Sequence, residues 1–172
     1  MRRLACMSVL VMTCIFVNAQ TLKKYDISNS GCSIHMFCQP ARFDKETALD
    51  SSTAYFARCT KNEITYGIVC IQLHQVVTNL NLAQTEMLSY LEYLKVEFEI
   101  ITAKGYEKGF KLKDRADTRG VLDYWSDNKN NNWKMKAYTD GKFIAILYAF
   151  SRKEMPEEIV NNYLDGFLLP GM

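Results

Sequence analysis

The segment Ile64 to Leu73 places the tightest limit on the fold. In a strand, Ile64, Tyr66, Ile68 and Cys70 point one way, and Val69, Ile71 and Leu73 point the other. A strand that is apolar on both sides must be covered on both sides, because exposing either face leaves a strip of hydrocarbon in water. Thr53 to Thr60 precedes it across Lys61-Asn62-Glu63, and the two runs read as a hairpin.

A second hairpin follows later. Trp133 to Thr139 and Lys142 to Phe150 flank Asp140-Gly141, a two-residue turn signal. Such a turn pairs Tyr138 with Phe143, Ala137 with Ile144, Met135 with Ile146 and Trp133 with Tyr148. Trp133, Met135, Ala137, Ile144, Ile146 and Tyr148 then share a core face, while Lys134, Lys136, Ala145 and Leu147 share the other. Between the hairpins, Leu80, Ala83, Met87, Leu91, Leu94, Phe98 and Ile101 recur every three or four residues. That is one helical stripe over about six turns, with Asn81 and Gln84 placed to cap its start and Lys104-Gly105 to end it.

Shorter elements fill the rest. Lys24 to Ile27, Cys32 to Gln39, Tyr106 to Leu112 and Gly120 to Ser126 read as strands, and residues 41–52 as a surface connection. Pro156 with Glu157 and Glu158 opens a last helix, whose buried side takes Ile159, Val160, Tyr163, Leu164, Phe167 and Leu168. With hairpins dominant, the expected fold is α+β: a mainly antiparallel twisted sheet with helices on both faces, in one domain spanning residues 20–172.

Residues 1–19 read as a signal peptide. Arg2 and Arg3 precede an apolar run from Leu4 to Val17, and Val17-Asn18-Ala19 fits a cleavage site between Ala19 and Gln20. The run is shorter than the roughly 20 apolar residues of a spanning helix, so the mature chain is expected to keep no transmembrane segment. The chain carries 21 basic and 19 acidic residues. The leader takes two arginines and no acid with it, which leaves a balanced mature chain and no basic surplus for nucleic acid.

Export permits disulfides. Cys32, Cys38, Cys59 and Cys70 remain after the leader. A straight strand would hold Cys32 and Cys38 about 20 Å apart, too far to bridge. Either all four stay as buried thiols, or Cys32 pairs with Cys59.

The order of elements resembles the PsbP-like family, lumenal subunits of photosystem II and their bacterial relatives, whose α/β/α fold also occurs in a Ran-binding protein family. The likeness rests on Asn29-Ser30-Gly31 leading to Pro40, on Glu63 to Leu73 feeding a long helix, and on Trp133 to Phe150 followed by Gly166-Phe167-Leu168. It implies the fold and a non-catalytic binding or assembly role, with no residue roles carried over. The Ala-Gln ending of the leader resembles those of Bacteroidota envelope proteins, which implies a Gram-negative periplasm or cell surface.

Residues with chemistry are few. His35 and His74 have no partner at metal-ligand spacing, and Cys70 and His74 would lie about 13 Å apart on a strand, too far for a nucleophile pair. No phosphate-binding or dinucleotide glycine pattern is present, so no cofactor and no metal is expected. Asp114, Asp117, Asp123 and Asp127, beside Arg115 and Arg119, would suit a small secreted hydrolase if two faced each other across a cleft; as a loop they are solvated ion pairs. Trp125 and Trp133 next to Asn131 could stack a sugar, and Lys134 and Lys136 share a face toward an anionic partner. The expected binding surface is therefore Arg119, Trp125, Asn131, Trp133, Lys134 and Lys136. An uncovered face around Lys134, Lys136, Phe143 and Leu147 would dock the partner. The expected function is an exported, non-catalytic binding or assembly module of the bacterial envelope, whose partner is another envelope protein or complex. The alternative is the hydrolase.

Overall fold

A computed structural model describes residues 21–172. The leader and its cut between Ala19 and Gln20 lie outside the described residues. The fold is α+β, with two α-helices among the described residues and every described strand pair antiparallel. No helix among these residues is long and apolar enough to cross a membrane.

The first hairpin is β4 (Thr53–Lys61) and β5 (Ile64–Gln72). Asn62 and Glu63 both take left-handed backbone angles, φ 52° and 63°, as a two-residue hairpin turn demands. An edge strand, β3 (Asp44–Thr47), pairs with β4 in the stretch expected to be a plain connection. On the other side β5 pairs with β10 (Phe143–Ser151), which pairs with β9 (Asn132–Thr139), then β8 (Arg119–Asp127). The far edge of β8 is shared by β6 (Ile100–Ala103) and β7 (Glu107–Phe110).

The β9–β10 hairpin keeps its expected faces but shifts register by two. Thr139 pairs with Ile144, Ala137 with Ile146 and Met135 with Tyr148. The reason is the Asp140 side chain, which accepts from the backbone N–H of Lys142 (2.9 Å) and Phe143 (2.7 Å) and widens the turn. A shift of two preserves parity, so no side chain changes face. Gly141 has φ 85°, and a Cβ there would stand 2.1 Å from the Val77 carbonyl oxygen, so only glycine fits.

The main helix is α1 (Leu80–Glu97). Its cap is Asn79, not Asn81: the Asn79 side chain accepts from the N–H of Asn81 and Leu82. It also stops about two turns earlier than Lys104-Gly105 would suggest. Glu99 turns left-handed at φ 55°, and the β-branched run Ile100-Ile101-Thr102 then forms β6, leaving Ile101 exposed. The last helix, α2 (Glu157–Leu164), is likewise shorter. Phe167 and Leu168 form a strand, β11 (Phe167–Leu168), that pairs with β2 (Ser33–Met36), itself paired with β1 (Lys23–Asp26).

Two apolar clusters result. Met87, Leu91 and Leu94 of α1 meet Ile144, Ile146 and Tyr148 of β10. Val160, Tyr163 and Leu164 of α2 join a second cluster with Phe143, Ala145 and Leu147 of the same strand. The larger of these side chains, such as Leu91, Ile146 and Phe143, each contribute roughly 1.5–3 kcal/mol by leaving water.

The disulfide joins Cys38 to Cys59, not Cys32 to Cys59. The regular alternation read through Gln39 stops at Met36, so Cys38 lies past the end of β2 and within reach of β4. Cys32 instead stays a buried free thiol, as does Cys70. The neighbouring Cys32 thiol, together with burial, raises the Cys70 pKa. The bridge ties the three-stranded sheet to the eight-stranded one across 21 residues of sequence. Closing a loop of that length is worth about 3 kcal/mol. Urea titration of Cys38→Ala should show a loss near that size, and adding reductant to the native protein should reproduce it. Superimposable unfolding curves would show that the bridge adds no stability.

Candidate functional site

The residues expected to form a binding surface do not converge. Trp125 and Trp133 are 2% and 6% exposed, and each indole N–H is taken by a carboxylate: Trp125 Nε1 donates to Asp123 (2.7 Å) and Trp133 Nε1 to Asp127 (2.9 Å). Asn131 donates to Asp127 through both its backbone N–H and its side-chain amide. Arg119 donates to the carbonyls of Thr118 and Ala116. Lys134 and Lys136 point the other way, where Lys134 pairs with Glu157 of α2 (3.1 Å) and Lys136 with Asp165 just beyond it (2.6 Å). Phe143 and Leu147 are buried among them. The face that would have favoured a docked partner had it lain open is engaged, with Glu157 and Asp165 at the two lysines.

The four aspartates do not form a facing pair either. Asp117 is engaged by Arg115 at the surface, and Asp114 is exposed in a turn. Asp123 and Asp127 sit four apart on β8, which spaces them about 13 Å, beyond the roughly 5–9.5 Å of glycosidase carboxylates. Asp127 is opposed by its burial, but bonds from Asn131, Trp133 and Lys129 outweigh this and hold its pKa below the usual carboxylate value. Among the described residues no three His, Cys, Asp or Glu side chains gather where they could hold a metal ion.

The main concavity lies elsewhere. α1 packs over β8, β9 and β6 and leaves the β3–β4–β5 side of the same sheet face open. The opening is a groove of about 1140 Å³. Its floor is set by strand register: Ala54 beside Ile71, Phe56 beside Val69, and Arg58 beside Gly67. Its wall is a stripe of α1, with Glu86, Tyr90, Tyr93, Leu94 and Glu97 at helical spacing. Phe98 closes one end and the charged Asp44 and Glu46 of β3 form the outer rim, where Arg42 pairs with Asp44.

Arg58, Gly67 and Tyr148 make one row across β4, β5 and β10. The outer end of the Tyr148 ring lies over Gly67, where a Cβ would come within 2.3 Å of it. The Tyr148 side chain is buried apart from its edge on the groove (6% exposed), and among the described residues its hydroxyl has no hydrogen-bond partner; the hydroxyl that is both fully buried and unpartnered is that of Tyr66. Burial pushes its pKa up to about 12, against a smaller downward pull from Arg58. Arg58 is exposed and makes no ion pair among the described residues. A guanidinium and a protonated phenol thus stand together at the end of an apolar floor.

No protein-family model matches the chain, and no curated protein matches it at a significant level.

The groove was overlooked in the sequence because each of its lines looks like core. A signal was present in two places. Thr53 to Thr60 alternates with apolar residues on both faces, and Glu86, Tyr90, Tyr93 and Glu97 run as a second stripe beside the core stripe of α1.

Two variants check the local physics. Asp127 has a lowered pKa, so it stabilises the fold above the unfolded value near 4 and loses that contribution as pH falls through its native value. Asp127→Ala should cost about 2–3 kcal/mol at pH 7, and urea titrations should show the gap from the native protein narrowing at acid pH; a constant gap would rule out the charge as its source. Gly67→Ala should displace the Tyr148 ring and lower stability by about 1–3 kcal/mol, visible as a changed near-ultraviolet circular dichroism signal and a lower Tm; an unchanged signal would show that the ring is not seated on Gly67.

Proposed function

We propose that this protein is an exported, non-catalytic binding module of the bacterial cell envelope that holds an apolar ligand in the groove between α1 and the β3–β4–β5 side of the sheet. The observation that carries this reading is the groove itself. At about 1140 Å³ it is just above the usual range for small-molecule sites, roughly 300–1,000 Å³, and it combines an apolar, aromatic floor with a charged rim. The aspartates and tryptophans named from sequence are engaged with one another, which favours the groove over them as the seat of binding. The binding role expected from sequence is kept, but its occupant becomes an apolar ligand and not an envelope protein docked on Lys134 and Lys136.

The PsbP-like resemblance belongs to the same reading. Alternate residues of β10 enter two different clusters, one with α1 and one with α2, which supports an α/β/α arrangement with helices on both faces. Export is supported by the residues 1–19 and by the disulfide, which suits an oxidising compartment.

The test is uptake of a polarity-sensitive apolar dye by the mature protein. Saturable binding with a blue-shifted emission is expected. Phe56→Asp, in the middle of the floor, should weaken it at least tenfold by placing a charge on the apolar surface. Dye binding that Phe56→Asp leaves untouched would remove the groove from consideration. Sequencing the mature N-terminus should find Gln20 first; a chain that begins at Met1 would refute export by cleavage.

A further inference from the structure

We infer that the ligand of this groove is an elongated apolar molecule ending in a single carboxylate, with its head held by Arg58 and Tyr148 and its tail lying along Phe56, Val69, Ala54 and Ile71. This rests on the groove being the binding site, and it names the chemical class of what enters.

Arg58, Gly67 and Tyr148 stand side by side across three strands. Gly67 has no side chain, so the phenol of Tyr148 can lean across β5 toward Arg58. The Tyr148 ring is buried, while its hydroxyl reaches the groove and has no hydrogen-bond partner among the described residues. Arg58 is likewise without a carboxylate among the described residues, whereas Arg42 and Arg115 each have one. The two unengaged groups are both donors, one cationic and one neutral, and they call for an acceptor that carries negative charge.

From that row the floor runs away as hydrocarbon. The next rows toward the other end of the strands are Phe56 beside Val69, then Ala54 beside Ile71, with Leu94 and Tyr90 of α1 above them. A ligand that satisfies both parts has an anionic head and an apolar body.

The charge of the head follows from the rim. Asp44, Glu46, Glu86 and Glu97 stand around the groove, and Arg42 already neutralises Asp44. A doubly charged phosphate would meet these acids with one free guanidinium to offset them. A carboxylate carries one charge and offers two oxygens, one for the Arg58 fork and one for the Tyr148 O–H. Glu46 and Glu97 are exposed and Asp44 and Glu86 half-buried, so the rim carries more acid than base, and a single carboxylate seated on Arg58 meets less of that repulsion than a doubly charged head.

The experiment compares three probes of equal chain length: dodecanoate, 1-dodecanol and dodecyltrimethylammonium, each displacing the apolar dye from the mature protein at pH 8. Dodecanoate is expected to bind about tenfold more tightly than dodecanol, the scale of one charge-assisted hydrogen-bonded contact in a part-exposed site. Arg58→Gln and Tyr148→Phe should each pull that ratio toward one, and thermal melts of both variants should report an intact fold. Equal affinities for acid and alcohol in the native protein would overturn the carboxylate assignment while leaving the groove as the site. Tightest binding of the ammonium would overturn it in favour of the acidic rim. No displacement by any probe and no binding of the dye would remove the groove reading as well.

Discussion

The pairing of β5 with β10 at the middle of the large sheet is the constraint on which the rest depends. Every residue from Phe143 to Ala149 is buried, and so are Tyr66, Gly67, Ile68, Cys70 and Ile71 beside them. Two adjacent strands with apolar side chains on both faces are unstable in water until both faces are covered. α1 packs into one apolar cluster with these strands through Met87, Leu91 and Leu94, and α2 into the other through Val160, Tyr163 and Leu164. A single helix cannot span an eight-stranded sheet, so one end of a face is left with less cover. The groove is what that mismatch leaves behind.

Much of this was legible in advance where a local rule and the global fold agree. Both hairpins, the core stripe of α1 and the two faces of β9 and β10 followed from periodicity and turn chemistry. The departures have local causes. Periodicity alone could not see that the Asp140 carboxylate would widen the turn and move the register by two. It carried α1 through Ile101 because β-branched residues fit a helical stripe as well as a strand, and the partner β8 that decides between them is distant in sequence. The same problem affected Phe167 and Leu168, which look helical by spacing but are drawn off by β2. Cysteine pairing was hardest, since it depends on where β2 ends.

The site was far less legible than the fold. Tryptophans, asparagines and aspartates clustered in sequence suggested a polar cleft. In three dimensions they satisfy one another: each indole N–H meets one carboxylate, and that carboxylate also gathers the neighbouring backbone amides. A buried carboxylate needs such company to stay ionised at low cost. The groove, in contrast, joins residues 41–58 to Val69 and Ile71, to residues 86–98 and to Tyr148, and no short window of sequence contains it.

Phe98 has a position between these two worlds. It stacks on Trp133 at 5.1 Å and touches Tyr148 at 5.1 Å, while both Phe98 and Tyr148 line the groove. Trp133 in turn lies 6.5 Å from Trp125, and these are the two tryptophans of the chain. The protein's indole fluorescence therefore originates within two rings of the groove wall, Trp133 against Phe98 and Trp125 behind it, in a buried setting where emission responds to small changes in packing. The protein thus carries its own optical probe of whatever lies against Phe98, with no label attached.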